Sequence, residues 1–179
     1  MEGKKSKPRA LLVFGAPCSG KTTFAMKFAN KFNLAYYDLD DIANKNKFSR
    51  EQIIAILGLI THTKHTVIIE GGLDTEKQRQ EVKNVFIVAG YDVDLIWIQT
   101  DIATIRNRMK LRFKSVSKAK SAYDEAIEKL EAPSELERPI ILSGKHTFET
   151  QTRHAVTGLA DAHKWFWIRR SSCPKKPTG

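Results

Sequence analysis

The segment Gly15–Thr22 constrains the fold of this chain more than any other part of its sequence. It reads GAPCSGKT and matches the pattern G-x-x-x-x-G-K-[ST] at every fixed position. The apolar run ALLVF at Ala10–Phe14 precedes it, and apolar residues three and four apart follow it through position 32. A buried strand, a glycine-rich turn and an amphipathic helix are the setting in which this pattern wraps around phosphate groups. We therefore predict a phosphate-binding loop between the first strand and the first helix.

The residue types of this loop assign a role to each part of it. Glycines allow positive φ angles, and backbone N–H groups form an anion site together with the positive end of the following helix. Lys21 is expected to reach the β and γ phosphates of ATP, and the hydroxyl of Thr22 is expected to bind Mg²⁺. A helix start can make a thiol reactive, but we interpret Cys18 as a small loop residue whose backbone matters. The predicted nucleotide contacts here are Gly15, Ala16, Pro17, Cys18, Ser19, Gly20, Lys21, Thr22 and Thr23.

Apolar runs alternate with helical stretches along the remainder of the chain. Strands are predicted at 10–14, 34–40, 66–70, 92–100 and 139–142, and helices at 21–32, 49–60, 74–89, 101–114 and 150–167. Apolar strands separated by helices indicate a parallel sheet covered on both faces. The predicted class is α/β: a three-layer P-loop NTPase fold with a five-stranded parallel sheet, helices on both faces and a basic lid segment. The carboxyl ends of such strands meet at one edge, where ligands bind.

Length and composition suit a single domain. The chain has 179 residues, enough to bury a core without staples, and its two cysteines, Cys18 and Cys173, show no metal-site spacing. We expect a domain over residues 10–170, a disordered basic arm at 1–9 and a flexible tail at 171–179. With no apolar run near the ~18 residues of a membrane span, we expect a cytoplasmic monomer or homodimer. A formal net charge of +10 favours anionic partners.

Three acids close the second predicted strand in the segment YYDLDDI. Alternation along a strand would point Asp38 and Asp40 to one side, toward the cleft. A carboxylate beside the transferred phosphoryl group can orient the acceptor hydroxyl or accept its proton. We assign this role to Asp40, with Asp38 as the second choice in the acceptor site. The alternative is that Asp40 or Asp41 only caps the next helix.

Glu70 ends the third predicted strand and is followed by two glycines. P-loop proteins commonly carry an acid at this place that holds the water shell of Mg²⁺, so we predict that Glu70 binds the metal with Thr22. Gly71 and Gly72 leave room for a substrate to approach the backbone. The alternative is that Glu70 is a solvated acid at the end of a strand.

Seven basic residues and no acid lie between positions 106 and 120. On a helix Arg108 and Arg112 share one face, and like charges at this spacing repel one another. A bound anion would relieve that repulsion. We therefore predict that Arg108 and Arg112 close over the γ-phosphate and neutralise charge in the transition state. The alternatives are an exposed basic face and a short strand, which the alternating pattern also permits.

With these parts in order, the chain resembles the P-loop kinases of the adenylate-kinase-like and shikimate-kinase-like group over residues 10–162. Two segments are similar to the kinase domain of polynucleotide kinases: the acid pair Asp40-Asp41, and LEAPSELE at 130–137, which matches E-x-P-x-x-x-E. The resemblance implies that Asp40 activates the acceptor hydroxyl and that the lid spans about 106–137, with Arg108 and Arg112 as its arginines. It also implies that the loop after the last strand lies against the adenine, through Ser143, Gly144 and Lys145.

The chain departs from the polynucleotide enzymes just after the acid pair. Those enzymes carry an arginine there that holds the phosphate of the acceptor, whereas this chain has Ala43 and Asn44. Arg50 is the nearest arginine, and we place it in the acceptor site. This departure leaves a small metabolite, a nucleotide and a polynucleotide end open as acceptors.

The predicted function is an ATP-dependent kinase acting on a hydroxyl. The alternative is a P-loop NTPase or nucleotide switch that hydrolyses ATP without a dedicated acceptor. A cleft acid and a basic lid favour the kinase, because a lid excludes water and suppresses hydrolysis. The aromatic cluster WFWIRR at 165–170 is expected to pack against the domain, with at least two of its three aromatic side chains buried.

Overall fold

The computed structural model describes residues 7–112 and 116–171, without the side chains of residues 116–120, 122, 126 and 163–171. Its strands are β1 (Arg9–Phe14), β2 (Ala35–Asp38), β3 (Val67–Glu70), β4 (Asp92–Gln99) and β5 (Ile140–Ser143). All neighbouring strands pair in parallel, in the order β2-β3-β1-β4-β5. Because β1 is the central strand, the loop that follows it lies in the middle of the carboxyl edge. The predicted five-stranded parallel sheet is confirmed.

Seven helices connect and flank these strands in the described part of the chain. They are α1 (Lys21–Phe32), α2 (Leu39–Asn46), α3 (Arg50–Thr61), α4 (Glu76–Val88), α5 (Ile102–Arg112), α6 (Val116–Lys129) and α7 (Phe148–Ser171). The predicted capping box is present at the start of α3, where Ser49 and Gln52 exchange side-chain to backbone hydrogen bonds. The N-cap of α4 is Thr75 and not Asp74, because Thr75 and Gln78 form a second capping box.

Alternation along β1 divides the core into two clusters. Leu12 and Phe14 face α2, α3 and α4, and their cluster includes Leu39, Ile53, Leu57, Ile69, Val82, Phe86 and Leu95. Leu11 and Val13 face α1 and α7, and their cluster includes Phe24, Ala25, Phe28, Ile68, Ile96, Ile98, Leu142 and Ala155. Helices therefore cover both faces of the sheet, as predicted, and apolar burial on each face fixes the position of its carboxyl edge.

The structure differs from the predicted elements at two places that matter for the site. The second strand ends at Asp38, and the chain turns at once into α2, which the sequence analysis did not predict. The predicted lid region contains a second helix, α6, after α5. Arg9 belongs to β1, so the ordered chain begins before the predicted position 10.

The remaining predictions concern parts of the chain that are only partly described. The aromatic side chains of the 165–167 cluster, residues 1–6 and residues 172–179 lie outside the described part. Within the described part, no helix combines the length and the apolar character needed to cross a membrane.

Candidate active site

The loop Gly15–Thr22 joins β1 to α1 at the centre of the carboxyl edge. Three of its residues take positive φ angles: Gly15 at 150°, Cys18 at 58° and Gly20 at 105°. Gly20 is the N-cap of α1 and supplies no side-chain hydrogen bond, so the first N–H groups of the helix stay available to a ligand. This is the backbone geometry of an anion site. Because a non-glycine residue rarely takes a positive φ, the value at Cys18 agrees with a role for its backbone.

The ends of β4 and β5 close around the underside of this loop. A Cβ atom on Gly15 would lie 2.5 Å from the carbonyl oxygen of Ile98. A Cβ atom on Gly144 would collide with the carbonyl oxygen of Ser19 and with Thr100 Oγ1. Thr100 Oγ1 also donates a hydrogen bond of 2.9 Å to the carbonyl oxygen of Ser19. The loop is therefore held by contacts that leave no space for a side chain at either glycine.

Glu70 lies directly beside the phosphate loop at the end of β3. Its side chain is only 2% exposed, and its carboxylate accepts hydrogen bonds from Thr22 Oγ1 at 2.5 Å and Tyr36 Oη at 2.9 Å. Lys21 Nζ lies 3.8 Å from the same carboxylate. Burial raises the pKa of Glu70, although Thr22, Lys21 and Tyr36 oppose that shift. Burial and the Glu70 charge also raise the pKa of Tyr36, so Tyr36 remains a donor.

Asp40 lies in the first turn of α2, beside the glycine turn that follows Glu70. Its carboxylate accepts a hydrogen bond from the backbone N–H of Gly72. The side chain is reached by solvent, but the walls of the cleft remove part of its hydration. This desolvation raises the pKa of Asp40, the negative charges of Asp74 and Asp38 raise it further, and Lys21 lowers it. Asp40 is thus close enough to the phosphate-loop lysine for the Lys21 charge to act on it.

The predicted alternation of Asp38 and Asp40 along one strand is wrong. Asp38 and Asp40 do not alternate along one strand, because β2 ends at Asp38. Asp38 is the N-cap of α2, and its Oδ1 accepts a hydrogen bond of 3.0 Å from the backbone N–H of Asp41. Asp40 packs against the glycine turn: a Cβ atom on Gly71 would lie 2.7 Å from its backbone nitrogen and 2.9 Å from its carboxyl group. The capping role falls to Asp38, which leaves the Asp40 carboxylate available.

Arg50 lies at the start of α3 next to the glycine turn. Its Nη1 donates to the carbonyl oxygen of Gly72 at 3.0 Å, and its Nη2 donates to that of Gln78 at 3.1 Å. Its Nε pairs with Glu81 at 3.2 Å. The structure therefore places Arg50 beside the predicted acceptor site, but with its charge already paired and its nitrogens engaged in holding the turn.

Arg108 reaches from α5 to the outer side of the phosphate loop. Its Nη1 donates to the carbonyl oxygens of Cys18 and Ser19 at 3.1 and 3.0 Å, and its Nη2 donates to that of Gly144 at 2.8 Å. Arg108 thus binds backbone carbonyl oxygens of the loop and of the segment after β5. This arrangement joins the lid helix to the loop.

Arg112 lies one helical turn after Arg108 and lines the same cavity. It makes no hydrogen bond or ion pair with a described residue. The basic run is helical up to Arg112, and its inward face carries the buried Ile105 and Met109. Arg106 and Lys110 are exposed on other faces of the helix. The predicted pairing of Arg108 with Arg112 on one face of a helix is therefore confirmed.

A cavity of about 580 Å³ opens beside the loop on the side of Arg108. Its charged lining is basic and contains no acid. The cavity residues outside the loop are Thr23, Phe24, Lys27, Arg108, Arg112, Gly144, His146, Phe148 and Gln151. Sequence reasoning missed Lys27, His146 and Phe148. Of these, Lys27 lies one turn after the predicted contact Thr23, and this spacing on α1 was the available signal.

The segment after β5 is divided between two cavities. Gly144 lines the basic cavity, whereas Ser143 and Lys145 line an adjoining cavity of about 720 Å³. Lys145 Nζ pairs with Asp101 at 3.2 Å. Gln151 Nε2 donates to the carbonyl oxygen of Ser143 at 2.8 Å. Of the three residues predicted to lie against the base, Gly144 is therefore the one that faces the basic cavity.

Arg79 is a buried charge that sequence reasoning missed. The side chain belongs to α4 and is 0% exposed. Its Nε and Nη2 donate to the two carboxylate oxygens of Glu137 at 2.7 and 2.8 Å. Glu137 is the last acid of the predicted E-x-P-x-x-x-E pattern. The pattern therefore contacts the body of the domain, and a basic residue on α4 was the unrecognised partner.

Comparisons with known proteins agree with this architecture. The AAA domain family matches residues 11–136. A gluconokinase from Sinorhizobium meliloti 1021 superposes with a TM-score of 0.70 at 16% identity, covering 92% of this chain and 99% of that chain. The APS kinase CysC from Mycobacterium tuberculosis, solved with AMPPNP and APS, gives 0.62 at 17% identity, covering 86% and 98%. Kti12 from Chaetomium thermophilum, solved with ADP-AlF3, gives 0.64 at 17% identity, covering 86% and 98%.

A comparison with curated protein sequences gave no match. At identities this low, likeness to the solved structures establishes the fold and leaves the reaction to be argued from the site. The predicted P-loop fold and the predicted resemblance to P-loop kinases are both confirmed.

Proposed function

We propose that this chain, which belongs to the AAA domain family, is an ATP-dependent kinase that phosphorylates a hydroxyl of a small acceptor. One observation carries the proposal: Asp40 packs against Gly71, which directly follows Glu70, and Lys21 Nζ lies 3.8 Å from the Glu70 carboxylate. The Asp40 carboxylate and the phosphate-loop lysine are therefore close enough for the Lys21 charge to act against the rise in the Asp40 pKa. A phosphate-binding cation and a proton acceptor are the two groups that phosphoryl transfer to a hydroxyl requires at close range.

The triphosphate of ATP fits the loop and its surroundings. The open N–H groups at the start of α1 and the ammonium group of Lys21 suit the β and γ phosphates. The basic cavity is large enough for the nucleoside, since small-molecule sites measure about 300–1,000 Å³. Its cations, Lys21, Lys27, Arg108 and Arg112, favour a polyanionic ligand.

Thr22 and Glu70 have the donor chemistry that suits Mg²⁺. Both present hard oxygen atoms, which lie 2.5 Å apart, and Mg²⁺ commonly takes one or two protein oxygens together with waters and substrate phosphates. No group of three or more His, Cys, Asp or Glu residues among the described side chains could hold a metal by itself. When bound, the ion would neutralise phosphate charge. Tyr36 orients Glu70 from its other oxygen.

Asp40 is the proposed proton acceptor. The acceptor hydroxyl would attack the γ-phosphorus in line with the departing ADP, and its proton would pass to the Asp40 carboxylate. The desolvation that raises the pKa of Asp40 makes it a stronger base than an exposed aspartate. The Gly72 N–H bond and the close packing of Gly71 fix the carboxylate at the edge of the cleft.

The charges around Asp40 favour a small neutral or cationic acceptor over a polynucleotide end. Asp38 and Asp74 both lie near enough to raise the pKa of Asp40. Arg50 is already paired with Glu81 and bound to two carbonyl oxygens. A phosphorylated acceptor would therefore meet carboxylates without an unpaired arginine to offset them. A hydroxyl on a polyol, a sugar or an amino alcohol would meet hydrogen-bond acceptors instead.

A screen with γ-labelled ATP tests this function. The panel contains sugars, polyols, amino alcohols, nucleosides and oligonucleotides with a free 5′-hydroxyl. We expect label transfer to a member of the first three classes and its loss in Asp40→Asn. The matched control is Asp41→Asn, an exposed neighbour that pairs with Lys45 at 2.8 Å, which should keep the wild-type rate. ATP hydrolysis with no labelled acceptor in any class would instead favour the NTPase alternative.

A further inference from the structure

Arg79 is a buried charge to which the proposed chemistry assigns no role. Among the described residues, it is the largest side chain that is fully buried. Burying a guanidinium group is costly unless hydrogen bonds and an opposite charge replace its lost water. The chain meets that requirement with Glu137, whose side chain is 8% exposed. Burial alone would raise the pKa of Glu137, but the hydrogen bonds from Arg79 and the Ser134 N–H, with the charges of Arg79 and Lys83, outweigh burial and lower it.

The other hydrogen bonds of Arg79 reach two further segments. Its Nη1 donates to the carbonyl oxygens of Leu73 at 3.2 Å and Asp74 at 3.1 Å. The same nitrogen donates to the carbonyl oxygen of Glu131 at 3.1 Å. Its guanidinium carbon lies 4.7 Å from the ring centroid of Phe14, the residue before the phosphate loop. One side chain thus contacts the end of β1, the acceptor loop (residues 71–75) and the return segment (residues 131–138) that leads from the lid helices back to β5.

The acceptor loop and the return segment also bind each other directly. The backbone N–H of Glu131 donates to the carbonyl oxygen of Asp74 at 2.8 Å. The carboxylate of Glu131 accepts a bond of 2.6 Å from the N–H of Glu76 at the start of α4. Glu137 Oε2 accepts a bond of 3.0 Å from the N–H of Ser134. Both acids of the E-x-P-x-x-x-E pattern therefore bind the same corner of the domain, with Arg79 at its centre.

This corner lies between the two parts of the cleft that must act together. The acceptor loop supplies the Gly72 N–H that binds Asp40, and it carries Asp74, whose charge acts on Asp40. The return segment is the far end of the chain section that begins with α5, which carries Arg108 and Arg112. We infer that Arg79 is a positioning residue for phosphoryl transfer, which fixes the acceptor loop and the lid's return segment at one mutual distance. This inference rests on the proposed kinase function.

The geometry requires arginine and not only a positive charge. The guanidinium group uses Nε and Nη2 for the two oxygens of Glu137 and Nη1 for three carbonyl oxygens. A lysine has a single nitrogen with three donors and cannot make the paired contact with a carboxylate. Arg79→Lys should therefore keep the positive charge but no longer hold the acceptor loop and the return segment at a fixed distance. Glu137→Gln removes the opposite charge from the other side with little change in volume.

The test compares these two variants with a control variant of Arg9, which forms an ion pair at the amino end of β1. Arg9 pairs with Asp94 at 3.6 Å and donates to the carbonyl oxygen of Leu159 at 3.1 Å. Arg9→Lys is therefore a matched control for a lost arginine contact far from the cleft. Two quantities are measured on each folded variant: acceptor phosphorylated per ADP formed, with the acceptor identified by the label screen, and hydrogen exchange at the amides of Glu76, Glu131 and Ser134.

We expect faster hydrogen exchange at those three amides in Arg79→Lys and Glu137→Gln. The amount of acceptor phosphorylated per ADP formed should fall by roughly tenfold, the effect of losing one charged hydrogen bond. Arg9→Lys should keep the wild-type ratio. A wild-type ratio in both variants would overturn the positioning role, and so would unchanged exchange. If the wild-type protein transfers label to no acceptor, the kinase function itself fails, which is a different result from transfer that survives loss of Arg79.

Discussion

The nucleotide half of the cleft and its acceptor half differ in charge and in construction. The basic cavity beside the phosphate loop has four cations in its lining and no acid, whereas the acceptor half contains Asp38, Asp40 and Asp74 around one glycine turn. Backbone groups and close-packed glycines dominate the first half. Side chains from α2, α3 and α4 dominate the second.

Under the proposed function, this difference follows from what each half binds. A triphosphate offers the same charge and geometry in every kinase, so a loop of N–H groups and a few cations is sufficient. An acceptor hydroxyl is neutral and must be recognised through its surroundings, which here are carboxylates and backbone carbonyl oxygens. The net charge of +10 of the whole chain therefore agrees in sign with the nucleotide half, whereas the acceptor half is locally acidic.

The largest effect should come from Asp40→Asn, which changes only the acceptor half. If Asp40 accepts the proton, transfer should fall by roughly 10²–10⁴-fold, or about 3–5 kcal/mol of activation free energy. ATP affinity should stay near the wild-type value, because the loop and the basic cavity are unchanged. Single-turnover transfer and ATP binding are measured on the same sample, with melting temperature as the control for folding. A fully active variant would leave the acceptor half without a known catalytic group.

Lys21→Ala should damage the nucleotide half in a different way. The change removes the cation at the β and γ phosphates while the loop backbone remains, so ATP affinity and turnover should both fall, turnover by roughly 10²–10³-fold. The melting temperature should change little, because Lys21 is partly exposed. Isothermal titration with ATP and a steady-state assay check this. Normal turnover in the folded variant would disprove the assignment of the loop.

The two lid arginines should have different roles: Arg108 supports the structure of the loop, and Arg112 acts in the chemical step. Arg112 makes no hydrogen bond or ion pair with a described residue, so Arg112→Ala should lower kcat by roughly 10–10²-fold, the range of a charged hydrogen bond. Arg108 binds three carbonyl oxygens, so Arg108→Ala should raise KM for ATP and lower the melting temperature by about 2–4 °C per kcal/mol lost. Steady-state kinetics and thermal unfolding distinguish the two patterns. Equal effects on kcat from both variants would contradict this division.

The smallest predicted effect is a pH dependence of phosphoryl transfer that comes from Asp40 in the acceptor half. Because the pKa of Asp40 lies above its ordinary value of 3.8, kcat/KM for the acceptor should decline on acidification with an apparent pKa above 3.8. The pKa of Glu70 beside the phosphate loop is raised as well, so ATP affinity is measured over the same interval. The part due to Asp40 is the part of the decline that Asp40→Asn removes. A raised pKa means that the folded state binds this proton more tightly than the unfolded state. Protonation of Asp40 therefore favours folding, and melting curves over the same interval should show that activity is not lost through unfolding at this site.

Sequence reasoning reached the nucleotide half more completely than the acceptor half. The phosphate loop is a local pattern, so Gly15–Thr22 could be located without knowing the rest of the fold. Asp40 was selected, but from a strand alternation that the early start of α2 contradicts. Arg50 was placed in the acceptor site as the nearest arginine, whereas Glu81 and two carbonyl oxygens engage it. Contacts between residues about 30 positions apart depend on how α3 and α4 pack, and no local pattern encodes that packing.

The burial of Arg79 is a second feature that local sequence patterns could not predict. Its residue type and its place on α4 are typical of an exposed helix face, and Glu137 lies 58 positions away in the sequence. Only the return of the chain from the lid brings the two together. The E-x-P-x-x-x-E pattern marked one partner, but periodicity could not identify the other.

The close approach of Gly144 to Ser19 and Thr100 has a consequence for synthesis on the ribosome. The phosphate loop lies near the start of the chain, yet it is held by residues 81 to 90 positions later at Thr100 and Arg108 and by Gly144 beyond them. A nascent chain that has emerged only through α4 contains the whole loop without these supports. Nucleotide affinity should therefore appear late in translation, when β5 has left the exit tunnel, and ATP would then stabilise the completed domain.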